Sequence, residues 1–225
     1  MSAPFRIGFL LYPHVTQLDL TGPAQFLSRM SGTAIHLVWK NMQPVTTDAG
    51  FAIAPTDSFE TCPDLDMVCV PGGGGQLAVM GDADVLAWLR RQGMQAKYVT
   101  SVCSGSLLLG AAGLVAGYRA GAHWAYRDKL TAFGATPAAE RVVKDRNRIT
   151  GGGVTAGIDF ALAVIDEVRG PDEAKAIQLA YEYAPAPPFN SGTPETAAPE
   201  TLAAARSILQ RMGAEAARAT QGTAA

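Results

Sequence analysis

The chain has 225 residues, 48% of them hydrophobic and 17% charged, with a formal net charge of −2 at pH 7. A chain of this size can bury a full core, so we expect a single domain over 1–225, with its core at about 5–190 and a C-terminal wrap and helix at 191–225. The near-neutral charge and the lack of a basic block predict no nucleic-acid partner and no binding to an anionic membrane surface.

Other features of the sequence point to a cytoplasmic protein. No apolar run reaches the length of a membrane span, and the N-terminus shows no signal-peptide pattern. The three cysteines lack the paired spacing of a disulfide scaffold, and no Cys/His cluster has the spacing of zinc ligands.

Short apolar runs alternate with helical patterns, which predicts an α/β fold in which helices cover both faces of a mostly parallel sheet, a flavodoxin-like three-layer sandwich. The predicted strands are Arg6–Tyr12, Ile35–Trp39, Met67–Val70, Tyr98–Val102, Arg141–Val143 and Ile149–Thr150, with a small hairpin of Val45–Thr47 and Phe51–Ala54. The predicted helices are Pro23–Met30, Asp84–Gln92, Ser106–Ala112, Ala125–Phe133, Ala156–Val168, Pro171–Tyr183 and Leu202–Met212. The helical pattern of the last segment fades towards Ala225.

Cys103 stands where a predicted strand meets a predicted helix, and this turn resembles the nucleophile elbow of hydrolases. A thiol at a helix N-terminus is expected to have a lowered pKa and to react as a thiolate. The alternative is that Cys103 is a buried small hydrophobe, as most free cysteines are. The catalytic interpretation is favoured because Cys103 ends the strand. Cys62 and Cys69 are interpreted as a loop residue and a buried strand residue.

Asp19 follows the first predicted strand, so its loop should reach the same sheet edge as the Cys103 turn. Asp19 could simply cap a helix. Because Pro23 fits the first helical position, however, we expect Asp19 to precede the helix and to face Cys103. Its neighbours Leu18 and Leu20 should partly desolvate it and raise its pKa, which suits a group that donates and accepts a proton.

The glycine run 72–75 and His123 have two interpretations each. The glycines match no phosphate-binding motif; they form either an anion-stabilising pocket of backbone N–H groups or a tight turn with positive φ. His123 could form a dyad with the cysteine, but a structural role beside Trp124 is favoured. Asp159 is interpreted as a structural polar residue.

Several motifs together resemble the PfpI-type, class I glutamine amidotransferase-like superfamily. They are Gln17–Pro23, Pro71–Gly73, Thr100–Gly105, Gly121–Trp124 and Thr150–Asp159. The resemblance covers most of the chain, from Phe5 to Asn190. Within the superfamily, the passage Tyr181–Asn190 is similar to that of the isocyanide hydratases.

The resemblance assigns roles to individual residues. The nucleophile falls on Cys103 and its acidic partner on Asp19, and Ser104 has a hydroxyl that can bond to the substrate. Together with the backbone of Gly73 and Gly74, Ser104 is expected to bind the substrate or an anion. Many relatives have Glu and His where this chain has Asp19 and Ser104, and the hydratases have Thr at the latter position. The missing His argues against peptidase chemistry, because amide cleavage must protonate a leaving amine.

The implied activity is hydration of a small-molecule isocyanide to an N-formamide, through a thioimidate on the cysteine, by a homodimer that needs no metal or organic cofactor. Three alternatives stay open. They are a glyoxalase or deglycase, a cysteine-oxidation stress-response protein, and the sensor half of a transcription regulator. The last would carry a helix-turn-helix domain, for which the C-terminal remainder is expected to be too short.

Overall fold

The structure is a computed structural model that describes residues 3–222. Its strands are β1 (Phe5–Leu10), β2 (Thr33–Trp39), β3 (Val45–Thr46), β4 (Ala52–Ile53), β5 (Asp57–Ser58), β6 (Met67–Val70), β7 (Tyr98–Val102), β8 (Arg119–Ala120), β9 (Thr136–Pro137), β10 (Val142–Asp145) and β11 (Arg148–Gly151). Its helices are α1 (Gln17–Leu27), α2 (Gln76–Val79), α3 (Ala83–Gln95), α4 (Gly105–Ala111), α5 (Ala156–Arg169), α6 (Pro171–Ala180) and α7 (Pro199–Gly222), with a 3₁₀ helix at Arg127–Phe133.

The central sheet has the strand order β10-β11-β7-β6-β1-β2-β5 within the described residues. Neighbouring strands run parallel, except that β10 and β11 pair antiparallel. Helix α5 packs on α1 and on α6 and contacts β7 and β11, whereas α3 and α4 contact β6. The sheet is therefore mostly parallel and flanked by helices, which confirms the predicted α/β, flavodoxin-like fold class.

The three central strands bring together the loops that contain the candidate site residues. Strand β6 is buried along its whole length, as its unbroken apolar run predicted. It lies between β1 and β7 in the parallel part of the sheet. The loops that follow these three strands therefore leave the same sheet edge side by side. The loops after β6 and β7 carry the glycine run and Cys103, and the loop after β1 leads into α1, whose first turn contains Asp19.

The start of α1 differs from the prediction. The helix begins at Gln17, so Asp19 lies in its first turn and Pro23 lies inside the helix. The N–H of Gln17 donates to Asp48 Oδ1 at 3.1 Å, and the N–H of Asp48 donates to the carbonyl of Val15 at 3.0 Å. The hairpin of β3 and β4 thus caps the helix from a distant part of the chain, so the helix can begin before its proline.

The other helices and strands agree in part with the predicted ones. The 125–133 segment is mostly a 3₁₀ helix, and α6 ends at Ala180, before Tyr183. The short elements α2, β5, β8 and β9 were not predicted.

The C-terminal helix is longer than predicted and lies over the glycine run. A Cβ added at Gly74 would stand 2.8 Å from Ala216 Cβ and 3.2 Å from the carbonyl oxygen of Met212. The predicted fading of the helix towards Ala225 falls partly outside the described residues. No helix in the described range is long and apolar enough to cross a membrane.

Candidate active site

Cys103 occupies a sharp turn between β7 and α4. Its φ is +58°, a left-handed conformation that is uncommon for a residue with a side chain. Its N–H donates to the carbonyl of Gly151 at 3.1 Å. A Cβ added at Gly105 would stand 1.9 Å from the carbonyl oxygen of Val70, so the turn requires glycine there. This strained strand-to-helix geometry is that of a nucleophile elbow.

Asp19 and Ser104 meet at Gly72. The N–H of Gly72 donates to Asp19 Oδ2 at 2.9 Å, and the N–H of Gly73 donates to Ser104 Oγ at 3.2 Å. A Cβ added at Gly72 would stand 2.7 Å from Asp19 Oδ2 and 2.6 Å from Ser104 Oγ. The carboxyl group and the hydroxyl therefore occupy the space that a side chain would fill.

Of the two interpretations of the glycine run, a pocket of bare N–H groups that binds an anion is not what the structure has. Two of its N–H groups orient Asp19 and Ser104, and that of Gly75 donates to the carbonyl of His14 at 3.3 Å. Gly73 has a φ of +147°, which agrees with the alternative of a turn that requires glycine. Gly73 and Gly74 nevertheless line the same cavity as Cys103.

Burial dominates the electrostatics of Asp19. It raises the pKa of this carboxyl to about 7, and the charge of Asp48 acts in the same direction. The interaction with Cys103 and the N–H of Gly72 lower the pKa but do not cancel the effect of burial. Asp19 Oδ1 is buried and has no hydrogen-bond partner among the described residues. The acid is therefore able to gain and lose a proton near neutral pH.

The pKa of the Cys103 thiol is raised, whereas the sequence predicted that it would be lowered. Burial and the charge of Asp19 raise the pKa of Cys103 well above its ordinary value, whereas the N–H and hydroxyl of Ser104 lower it. The expected lowering by the helix N-terminus is outweighed, because the sulfur is buried next to a carboxylate. The two groups form a coupled pair, which carries a single negative charge once its first proton has been lost.

The pair adjoins a cavity of about 400 Å³. Cys103 and Ser104 line it. Most of the wall is apolar, and its larger apolar side chains are Leu77, Met80, Leu107, Phe133, Leu209 and Met212. Two of these come from α7, so the C-terminal helix closes one side of the cavity. No cluster of three or more His, Cys, Asp or Glu residues suited to a metal ion occurs within residues 3–222.

His123 lines the cavity, and no hydrogen bond joins it to Cys103 in the part of the chain that the structure describes. Its Nδ1 accepts the N–H of Ala125 at 3.3 Å, and its ring lies 5.2 Å from that of Trp124 between centroids. Burial lowers its pKa, so the imidazole is neutral near pH 7. These contacts agree with the structural role favoured from the sequence.

The passage that carries the hydratase resemblance lies elsewhere. The Tyr183 hydroxyl donates to Asp159 Oδ2 at 3.1 Å, and Arg141 binds the same carboxylate oxygen. The ring of Tyr181 packs on Phe26 at 4.8 Å between centroids. These contacts tie the passage to α1 and α5, and Asp159 has a structural role, as expected.

Two polar residues of the site were not predicted from the sequence. The buried hydroxyl of Tyr12 donates to the carbonyl of Pro71 at 2.9 Å and so fixes the start of the glycine run. Gln76 lines the cavity and is buried. Its place directly after four glycines that connect a strand to a helix was the available signal.

Comparisons with known proteins agree on one family. The model of the DJ-1/PfpI family matches residues 5–167. The chain is 56% identical over 192 residues to the isonitrile hydratase of Pseudomonas putida, which covers 85% of this chain and 84% of that protein. It is 31% identical over 189 residues to the HTH-type transcriptional regulator GbdR of Pseudomonas aeruginosa, 80% of this chain but 51% of the regulator.

A solved structure is similar over almost the whole chain. The crystal structure of a THiJ/PfpI family protein from Pseudomonas syringae matches with a TM-score of 0.90 and 48% sequence identity. The match covers 95% of this chain and 89% of that chain. The family match at residues 5–167 includes Asp19, Gly72 and Cys103.

Proposed function

The chain belongs to the DJ-1/PfpI family, and on that premise we propose that it is an isocyanide hydratase, a lyase that adds water to an isocyanide, or isonitrile, to give an N-formamide. The observation that carries the proposal is the buried pair of Asp19 and Cys103, with the acid's pKa raised to about 7. The similarity to the Pseudomonas putida isonitrile hydratase supports the same reaction.

The pair supplies what the first step needs. The terminal carbon of an isocyanide, R–N≡C, must gain a nucleophile and a proton, and no group leaves. We propose that the reactive form of the pair has its proton on Asp19 and its charge on Cys103. The sulfur attacks the carbon and Asp19 protonates that carbon, which gives the thioimidate R–N=CH–S on Cys103.

The same carboxyl group then serves the second step. Asp19, now ionised, takes a proton from water while the oxygen bonds to the thioimidate carbon, and it passes that proton to the nitrogen. The resulting tetrahedral intermediate is R–NH–CH(OH)–S. Asp19 next removes the hydroxyl proton, the carbon–sulfur bond breaks, and the thiolate leaves with the electron pair. The product is R–NH–CHO, and both groups return to their starting forms.

The surroundings support this assignment. Burial and the charge of Asp19 raise the pKa of Cys103, and the N–H and hydroxyl of Ser104 act against them by stabilising the thiolate. The N–H of Gly73 holds that hydroxyl in place, and Gly74 lets α7 approach the cavity closely. The apolar wall suits an apolar substituent R, because burial of apolar surface favours binding.

The direct experiment is to incubate the purified protein with a simple alkyl isocyanide and to follow the N-formamide by mass. Cys62→Ala is the matched control, since Cys62 does not line the cavity. Wild type and Cys62→Ala should form the product, and Cys103→Ala should not. A wild type that leaves the isocyanide unchanged but converts methylglyoxal would favour the glyoxalase alternative instead.

We further propose that the chain acts as a homodimer, and that residues 1–225 form a single domain. A cytoplasmic location stays a prediction from the sequence. Sedimentation should give a species of twice 23.5 kDa at micromolar concentration. A single species near 23.5 kDa would contradict the dimer.

A further inference from the structure

Gln76 lines the cavity and carries a buried polar atom that has no partner among the described residues. It is the first residue of α2, is 5% exposed, and lines the cavity together with Cys103 and Ser104. Its Nε2 donates to Met80 Sδ at 3.3 Å. Its Oε1 is buried and has no hydrogen-bond partner among the described residues.

A buried amide oxygen without a donor destabilises the folded protein, because it has lost its hydrogen bonds to water. The cost is explained if a bound molecule supplies the missing donor. The other buried polar side chains on the wall are engaged. Ser104 Oγ accepts the N–H of Gly73, and Cys103 interacts with Asp19. Gln76 Oε1 is therefore an unpartnered, buried acceptor that belongs to a residue of this mostly apolar wall.

The reacting species differ in the donors that they offer. The isocyanide has no N–H or O–H group, and the nitrogen of the thioimidate carries no hydrogen. The nitrogen first gains a proton when water adds, and it keeps that proton in the N-formamide. An acceptor near this nitrogen would stay unpaired in the substrate complex and would gain its partner during hydration, which is the condition for catalysis by differential binding.

We propose that Gln76 is a catalytic residue of the second step, with its Oε1 accepting the N–H that forms on the substrate nitrogen when water adds to the Cys103 thioimidate. This inference rests on the proposed hydratase function. No bond is made or broken at Gln76, and it transfers no proton. It stabilises R–NH–CH(OH)–S and leaves attack on the isocyanide unaffected.

The first test separates the two steps. Gln76→Met keeps the length of the side chain and removes the acceptor, and Gln43→Met makes the same change in an exposed loop. Reactions with an alkyl isocyanide are stopped at short times, and the covalent adduct is measured by intact mass. In Gln76→Met the adduct should form at the wild-type rate and decay about tenfold more slowly, and so accumulate, because one hydrogen bond is lost. Gln43→Met should behave as wild type.

Two results would overturn the inference while the hydratase function stands. One is adduct decay at the wild-type rate in Gln76→Met, and the other is slower adduct formation that accounts for the whole loss of turnover. A wild type that forms neither adduct nor N-formamide would instead remove the proposed function, and this inference with it.

A binding measurement does not depend on turnover. In the Cys103→Ala background, an N-alkylformamide, which has an N–H, should bind about tenfold more tightly than its N-methyl derivative, which has none. Adding Gln76→Met should abolish this preference and leave the affinity for the N-methyl derivative unchanged. An unchanged preference in the double variant would show that another group accepts the N–H.

Discussion

The Asp19 carboxylate lies beside the Cys103 thiol, and burial together with this negative charge raises the pKa of that thiol. Burial in turn raises the pKa of Asp19 to about 7. The two effects have one origin, because a buried pair of acidic groups carries one negative charge more readily than two. Both the proposed chemistry and the pH dependence of stability follow from this relationship.

The buried acid should lower stability as the pH rises. Folding raises the pKa of Asp19 to about 7, so the folded state binds the extra proton up to that pH. The free energy of unfolding should therefore fall from about pH 4 to about pH 7. Asp19→Asn keeps an acceptor for the Gly72 N–H and carries no charge. Urea unfolding at about pH 8 should show this variant to be more stable than wild type, by up to about 4 kcal/mol.

Asp66 provides the matched control with the opposite sign. Partial burial raises its pKa, but Lys97 and the N–H of Arg6 outweigh burial and lower it below the ordinary value. Asp66→Asn should therefore lower stability at neutral pH, and the loss should shrink as the pH falls through the ordinary range of aspartate. If Asp19→Asn also lowered stability at every pH, Asp19 would not be a buried acid with a raised pKa.

Removing the charge of Asp19 should also lower the pKa of the Cys103 thiol. The carboxylate and its hydrogen bond both raise the pKa of Cys103, so this pKa should be lower in Asp19→Asn than in wild type. Thiolate ultraviolet absorbance, corrected with the matching Cys103→Ala variants, measures it. An unchanged or higher midpoint would mean that the two groups do not interact as described.

Gly72 should tolerate no side chain. An added Cβ would stand 2.6 Å from Ser104 Oγ and 2.7 Å from Asp19 Oδ2, so both groups must move. Displacements of this size can cost on the order of 100-fold in rate, and Gly72→Ala should lose at least about that much turnover. Gly81→Ala is the control, because nothing lies within 4 Å of its added Cβ. Wild-type turnover in a folded Gly72→Ala protein would show that turnover does not depend on the positions of Asp19 and Ser104 next to Gly72.

His123→Ala should cost less than the loss of a general base, which is about 100-fold or more. The imidazole is neutral and bonds to the N–H of Ala125, and no hydrogen bond joins it to Cys103 among the described residues. Turnover measurements decide the point. A loss as large as that in Cys103→Ala would restore the dyad of cysteine and histidine.

The parts of the site that the sequence predicted are those that local pattern determines. An apolar run that ends at small residues predicts the strand, turn and helix around Cys103. The position of the glycine run is predicted because the run comes directly after the apolar residues of β6. Parallel strand order then brings these loops to one edge. Asp19 was predicted to lie at that edge for the same reason, because it follows the first strand.

The parts that were missed depend on contacts between distant residues. The start of α1 depends on Asp48, which lies 31 residues from Gln17. The wall formed by Leu209 and Met212 depends on how α7 packs over Gly74. The raised thiol pKa depends on the balance between burial, which raises it, and a helix N-terminus, which lowers it. This balance cannot be predicted from the composition or the spacing of residues.

The most direct test of the central claim is to identify the covalent intermediate. Wild type is mixed with an alkyl isocyanide and stopped by acid during turnover, and its peptides are analysed by mass. The proposed mechanism predicts that the peptide containing Cys103 gains the mass of one isocyanide and loses it as the N-formamide appears. Formation of the N-formamide with no adduct on Cys103, or at the wild-type rate by Cys103→Ala, would contradict it.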